Sequence, residues 1–135
     1  MRALLIDPFA CRVLQIALPD PRESSPWEML ESIYAALSHA TFKVDSLDGV
    51  ALGKTDFLVV SGHGRIQEPP VKRWFRLTGL HFETLAGKGV IVGRDEEGTE
   101  TDTNYLVPDI DYRAIFFEAT AFALVQTVTP WRSQQ

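Results

Sequence analysis

Leu85-Ala86-Gly87-Lys88-Gly89-Val90-Ile91-Val92-Gly93-Arg94-Asp95-Glu96-Glu97-Gly98-Thr99-Glu100-Thr101-Asp102 runs from a short apolar stretch into an acidic, glycine-broken loop. The pattern is that of a buried strand, Gly89 to Val92, presenting a charged tip to solvent. Gly87-Lys88-Gly89 is not a phosphate loop, because the Gly-Lys-Ser/Thr signature must open a helix and Val90-Ile91-Val92 opens a strand. The carboxylates of the tip fail the calcium-loop template, which needs glycine at position six and a bidentate Glu at twelve. Counted from Asp95, those positions hold Glu100 and Leu106. A solvated hairpin is the plainest reading. A tip that steers docking onto a basic surface is the functional one, carried by Asp95, Glu96, Glu97, Glu100 and Asp102.

Outward from this stretch, strands dominate. Ala3 to Ile6 and Arg12 to Leu18 predict an N-terminal hairpin broken at Asp7-Pro8. Phe42 and Val44 suggest a strand, followed by a polar turn around Asp45 to Gly49. Asp56 to Val60 and Trp74 to Leu77 are short runs of strand length, and Pro69-Pro70 excludes a central strand there. Ala114-Ile115-Phe116-Phe117 favours a strand by composition, although Ile110, Ala114, Phe117, Ala121 and Leu124 would also line a helix face. The clearest local signal is helical. Ser25-Pro26-Trp27-Glu28 fits a capping box with proline at the first helical position, predicting a helix over about 26–38 that ends near His39. Trp27, Leu30, Ile33, Tyr34 and Leu37 then share one face, expected to pack on a sheet. The expectation is a single α+β domain over 1–135, with a mostly antiparallel or mixed sheet and one well-capped helix packed on it.

Composition sets the outer limits. The chain has 135 residues, 45% hydrophobic and 23% charged, with a formal net charge of -5. This length supports a core without staples. The negative balance argues against duplex nucleic acid as a partner, since phosphate neutralisation needs Lys and Arg. One cysteine, Cys11, leaves no intramolecular disulfide, so a reducing cytoplasm is the expected compartment. The apolar run after Met1 is too short for a signal peptide, and nothing approaches the roughly 18 apolar residues of a membrane span.

Two further stretches invite a chemical reading. Asp56-Phe57-Leu58-Val59-Val60-Ser61-Gly62-His63-Gly64 resembles the histidine segment of caspase-like cysteine proteases, in which a strand end holds the imidazole beside a thiol. Those proteases carry their cysteine after the histidine, whereas Cys11 precedes His63 and none follows. Ser61 as a nucleophile lacks the G-x-S-x-G elbow, with Val59 and His63 at the glycine positions. Ser61 and His63 are therefore the only catalytic candidates, for a small-ligand-binding protein or hydrolase, against a plain turn between strands. Lys72, Arg73, Trp74 and Arg76 form a basic-aromatic patch that could stack on single-stranded nucleic acid. On a strand, Trp74 and Arg76 would share one face and Phe75 and Leu77 the other. His39, His63 and His81 contain no close pair, so no metal site is expected. No cofactor motif is present and none is expected.

Three blocks together resemble one known family. They are Met1-Arg2-Ala3-Leu4-Leu5-Ile6-Asp7-Pro8, the strand-turn from Asp56 to Ile66 leading to Arg73–Leu77, and Leu85 to Gly98. The combination, over roughly residues 1–102, is similar to the DUF3846 family of small proteins of uncharacterised function from phages, prophages and plasmids. The central Ser61-Gly62-His63-Gly64 stands where that family more often has an acidic turn. The resemblance implies a mobile-element context and supplies no active site. The resulting expectation is a non-enzymatic accessory protein that binds a host or phage macromolecule, with a protein as the expected partner. The hairpin carboxylates would steer docking, and Arg65, Trp74 and Arg76 would anchor it. The apolar C-terminal strand offers an edge at which a second copy could pair to form a homodimer.

Overall fold

The computed structural model describes residues 1–39, 43–62, 73–119 and 123–127. Phe42, His63, Arg65, Pro69, Pro70, Lys72 and Ala121 lie outside the described residues. The elements run β1 (Arg2–Asp7), β2 (Arg12–Ala17), α1 (Pro26–Leu37), β3 (Leu47–Leu52), β4 (Asp56–Ser61) and β5 (Arg73–Leu77). They continue with β6 (His81–Ala86), β7 (Gly89–Arg94), β8 (Glu100–Thr101), α2 (Val107–Asp111), β9 (Ala114–Ala119) and β10 (Leu124–Thr127). One sheet has the order β2-β1-β7-β4-β3, with β8 pairing β7 beyond the end of β1. The second has the order β10-β9-β5-β6. Every pairing among the described residues is antiparallel. The fold is a sheet-dominated α+β arrangement.

The central strands β1 and β7 of the larger sheet are buried on both faces, and strand alternation divides their side chains between two cores. Leu4, Ile6, Leu58, Val60 and Ile91 join Phe75, Leu77, Leu85 and Phe116 of the second sheet in one cluster. Ala3, Leu5, Val90 and Val92 join Met29, Ile33 and Leu37 of α1 in the other. A strand that must satisfy both faces has no room for polar alternation, hence the unbroken Val90-Ile91-Val92. The turn at Gly87 (φ 77°) carries the chain from β6 of the second sheet to β7 of the first. At Gly89 a Cβ would lie 2.7 Å from the Phe75 ring and 2.8 Å from a Leu58 methyl. The two sheets can meet at that point only around a glycine.

Helix α1 starts as its sequence predicts, with the Glu28 amide donating to Ser25 Oγ at 3.2 Å. It ends at Leu37, two residues before His39, where Ser38 turns back and donates through its hydroxyl to Tyr34 O. The Lys88 ammonium donates to Ser38 O at 3.2 Å, placing a cation at the helix C-terminus. The buried face differs from the expected one. Trp27 is 64% exposed, and Met29, Ile33 and Leu37 form the buried stripe, with Tyr34 half-buried beside it. Spacing alone left the stripe's rotation open by one position, and the sheet selects the setting that buries a residue on each of three turns.

Other local expectations also change. Leu47–Leu52 is a strand rather than a polar turn, and Val44 is buried outside any strand. Asp48 and Gly49 tolerate this because β3 is an edge strand with one side open to solvent. Strand β6, with its polar His81 and Glu83, and the single-turn helix α2 have no strong periodic signal. The segment from Ala114 is extended as favoured, but Ile110 belongs to α2 and is fully buried. No helix among the described residues is long and apolar enough to cross a membrane.

Candidate functional site

The acidic hairpin is built at one end of the central strand β7. Arg94 donates its amide to Thr55 O at 2.7 Å and lays its guanidinium 3.7 Å over the Phe57 ring, anchoring the base. Asp95 does not face outward as a free charge. Its Oδ1 accepts the amides of Glu97 and Thr99, both at 2.9 Å, its carbonyl accepts Gly98 N, and its own amide donates to Thr99 O. Such an Asx turn is what an aspartate supplies to a tight loop. Gly98 takes the positive φ (84°) that completes it. Glu96 and Glu97 are left exposed on the turn that Asp95 holds in shape.

The return strand is fastened more tightly still. At Gly93 any Cβ would collide with the Asp102 carbonyl, so glycine is required for the crossing. Asp102 accepts the Arg2 amide at 2.7 Å, and Thr103 N donates to Arg2 O at 3.1 Å. The Arg2 guanidinium donates to Tyr105 O at 2.7 Å and to Thr103 O. Behind this lies Asp56, 1% exposed, the first residue of β4. Its Oδ2 accepts Thr103 Oγ1 at 2.5 Å and Asn104 N at 3.1 Å. Its Oδ1 accepts Asn104 Nδ2 at 2.9 Å and Thr55 Oγ1 at 2.8 Å. Thr103 Oγ1 in turn accepts Tyr105 N. A buried carboxylate with four donors is fully satisfied and serves as a structural knot.

Between the hairpin and the segment leading into α1 lies a cleft made of two adjoining depressions. One, of about 390 Å³, is lined by Met1, Asp20, Arg22 and Glu100 to Asp102. The other, of about 320 Å³, is lined by Ser24 to Pro26, Met29 and Glu97 to Glu100. Pro21 and Glu100 border both. Asp20 is occupied in its own turn, accepting Arg22 N at 2.9 Å. Glu97 and the half-buried Glu100 add carboxylates to this cleft beside Asp20 and Asp102, each of which accepts a backbone amide, with Glu96 at the tip. No group of three His, Cys, Asp or Glu among the described residues is placed to hold a metal ion.

The remaining sequence candidates lie elsewhere. Ser61 closes β4 opposite Leu47 and is half-buried. It sits at the far end of the sheet from the hairpin, because Asp56 pairs with Gly93 while Val60 pairs with Gly89. Strand rise separates those ends by roughly 15 Å. His63 and Arg65 lie outside the described residues, so the Ser61/His63 turn has no described geometry. Trp74 and Arg76 share a face of β5 in the second sheet, as alternation predicts. Trp74 is half-buried against the helix-side core rather than presented as a stacking platform, and the Arg76 guanidinium lies 5.3 Å over the Phe117 ring. The structure thus gathers Asp95, Glu96, Glu97, Glu100 and Asp102 and leaves Trp74 and Arg76 on a different sheet. Sequence reasoning missed Asp56, Thr103, Asn104 and Arg2. The one available signal was an aspartate opening an otherwise apolar strand.

Comparison with protein-family models, with curated proteins and with solved structures returns no match.

Proposed function

We propose that this protein is a non-enzymatic accessory protein of a phage or other mobile element, acting in the host cytoplasm by docking on a basic surface of a partner protein. The mobile-element part rests on the resemblance of residues 1–102 to the DUF3846 family. The docking part rests on one observation: Asp95 fixes the hairpin turn from within, so Glu96 and Glu97 are held outward in a set geometry. A loop already ordered loses little conformational entropy on binding. Its carboxylates, added to the formal charge of -5, attract a Lys- or Arg-rich surface and orient the approach. Glu100 extends the negative rim into the cleft, which Pro21 borders.

The test is capture of a discrete host protein from lysate by the immobilised chain, compared with the Glu96→Gln/Glu97→Gln double variant. Two exposed charges at roughly 0.5–1 kcal/mol each correspond to about a tenfold loss of affinity at low salt. Equal capture by the variant, or binding insensitive to salt, would overturn the proposed surface.

A further inference from the structure

We propose that Trp27 is the apolar anchor of a docking surface on the first two turns of α1, and that it seats on an apolar patch flanked by Lys or Arg on a partner protein. Helix α1 has more apolar surface than the sheet covers. Met29, Ile33 and Leu37 form its buried row. Beside that row, Trp27, Leu30 and Tyr34 stand at i, i+3 and i+7, a spacing that makes a second apolar row along the helix. Leu30 and Tyr34 are half-buried, and the Tyr34 hydroxyl donates to Asp45 O at 3.5 Å. Trp27, at the start of the row, keeps 64% of its surface in solvent. An indole left in water forgoes the stabilisation that burial would give. Tryptophan is also among the residue types enriched at binding hot spots.

Charge selects the occupant. Glu28 and Glu31 are exposed beside Trp27, Glu31 one turn further along, and α1 contains no Lys or Arg. Arg22, before the cap, lines the cleft. Pro26 and Met29 of α1 line the same depression as Glu97 and Glu100, so the start of the helix continues the acidic surface of the hairpin. A tryptophan flanked by carboxylates is complementary to an apolar patch flanked by cations. A second copy docking through the same face would set Glu28 and Glu31 against their own kind, and an anionic lipid surface would be repelled in the same way. The inference rests on the docking reading above and adds an apolar contact to it. The carboxylates steer the approach, and the indole, once desolvated, holds the complex.

The probe is an amphipathic helical peptide of Leu and Lys, titrated into the full chain and followed by tryptophan emission and by calorimetry. Binding with a blue shift is expected, weakening as salt rises, and a Leu/Glu peptide of the same pattern should not bind. Trp27→Ala should remove the shift and weaken binding at least about tenfold, as loss of a hot spot does. Trp27→Phe, which keeps an aromatic anchor, should retain most of the affinity. Glu28→Gln/Glu31→Gln should weaken it about threefold at low salt. Polylysine offers charge without an apolar patch and should bind without the shift. Peptide binding that Trp27→Ala leaves unchanged and Glu96→Gln/Glu97→Gln abolishes would overturn the anchor while the hairpin reading stands. Loss with Trp27→Ala alone would support the anchor and count against the hairpin. A Leu/Lys peptide that does not bind would overturn the inference. So would a blue shift with phosphatidylcholine vesicles in its place, which would point to a lipid surface instead.

Discussion

Asp56 and the pair Glu96/Glu97 are the same functional group in opposite settings. Asp56 is buried and receives four hydrogen bonds from Thr55, Thr103 and Asn104. Glu96 and Glu97 stand exposed on a turn that Asp95 holds in shape. Burying a carboxylate is costly unless every oxygen finds donors, so the buried one fixes the backbone around it. An exposed carboxylate contributes little to stability and is free to act on a partner. The distinction between structural and functional acid lies in the hydrogen-bond environment, and within one acidic run Asp95 and Asp102 accept backbone amides while Glu96 and Glu97 face solvent.

Substitutions can break that contrast at graded strength. The largest effect is expected from Asp56→Ala, which leaves the buried Thr103 hydroxyl and the Asn104 backbone amide without their acceptor. A loss of about 3–5 kcal/mol is expected, read as a lower urea midpoint, with the 101–105 segment exchanging its amides faster. A loss below about 1 kcal/mol would refute the knot as a determinant of the fold. Thr103→Val keeps the shape and removes one donor and one acceptor. It should cost about 1–3 kcal/mol, and Asp56→Ala in the same background should then cost less than it does alone, because the two act as a unit. Asp95→Ala should cost about 1 kcal/mol, in line with loss of a capping interaction, and should raise exchange at Glu97 and Thr99 without disturbing β7. The double change Glu96→Gln/Glu97→Gln sits at the other extreme. Thermal stability should move by no more than about 0.5 kcal/mol while partner affinity falls. If that pair instead destabilised the chain as strongly as Asp95→Ala, the exposed acids would be structural as well, and the contrast would collapse.

Signals carried by local backbone chemistry were legible. The Ser25 cap, the N-terminal hairpin and the strands at Asp56, Trp74 and Gly89 are where residue type predicts them. Strand β3 was hidden because Asp48 and Gly49 lower strand propensity, and an edge position tolerates them. Strand β6 was hidden by a bulge that interrupts its alternation. Trp27 pointed to the core by hydrophobicity, yet helix rotation is set by the partner sheet, which takes Met29 instead. At the candidate site, the acidic run and its glycines were visible as a hairpin. That Asp102 is tied into the fold was not, because its partner Arg2 lies a hundred residues away, and the knot at Asp56 was hidden because Thr103 and Asn104 come from a different loop.

By itself the sequence determined the element types governed by short-range physics: a capped helix, apolar strands and an acidic glycine-broken turn, with a negative overall charge. Tertiary structure decided how the strands divide between two sheets and that the central strand is buried on both faces. It also decided that one aspartate is a buried knot while its acidic counterparts face solvent. The reason is physical. Propensity and capping act over a few residues, whereas burial, sheet order and the satisfaction of a carboxylate depend on groups brought together from across the chain, such as Arg2 with Asp102 and Asp56 with Thr103.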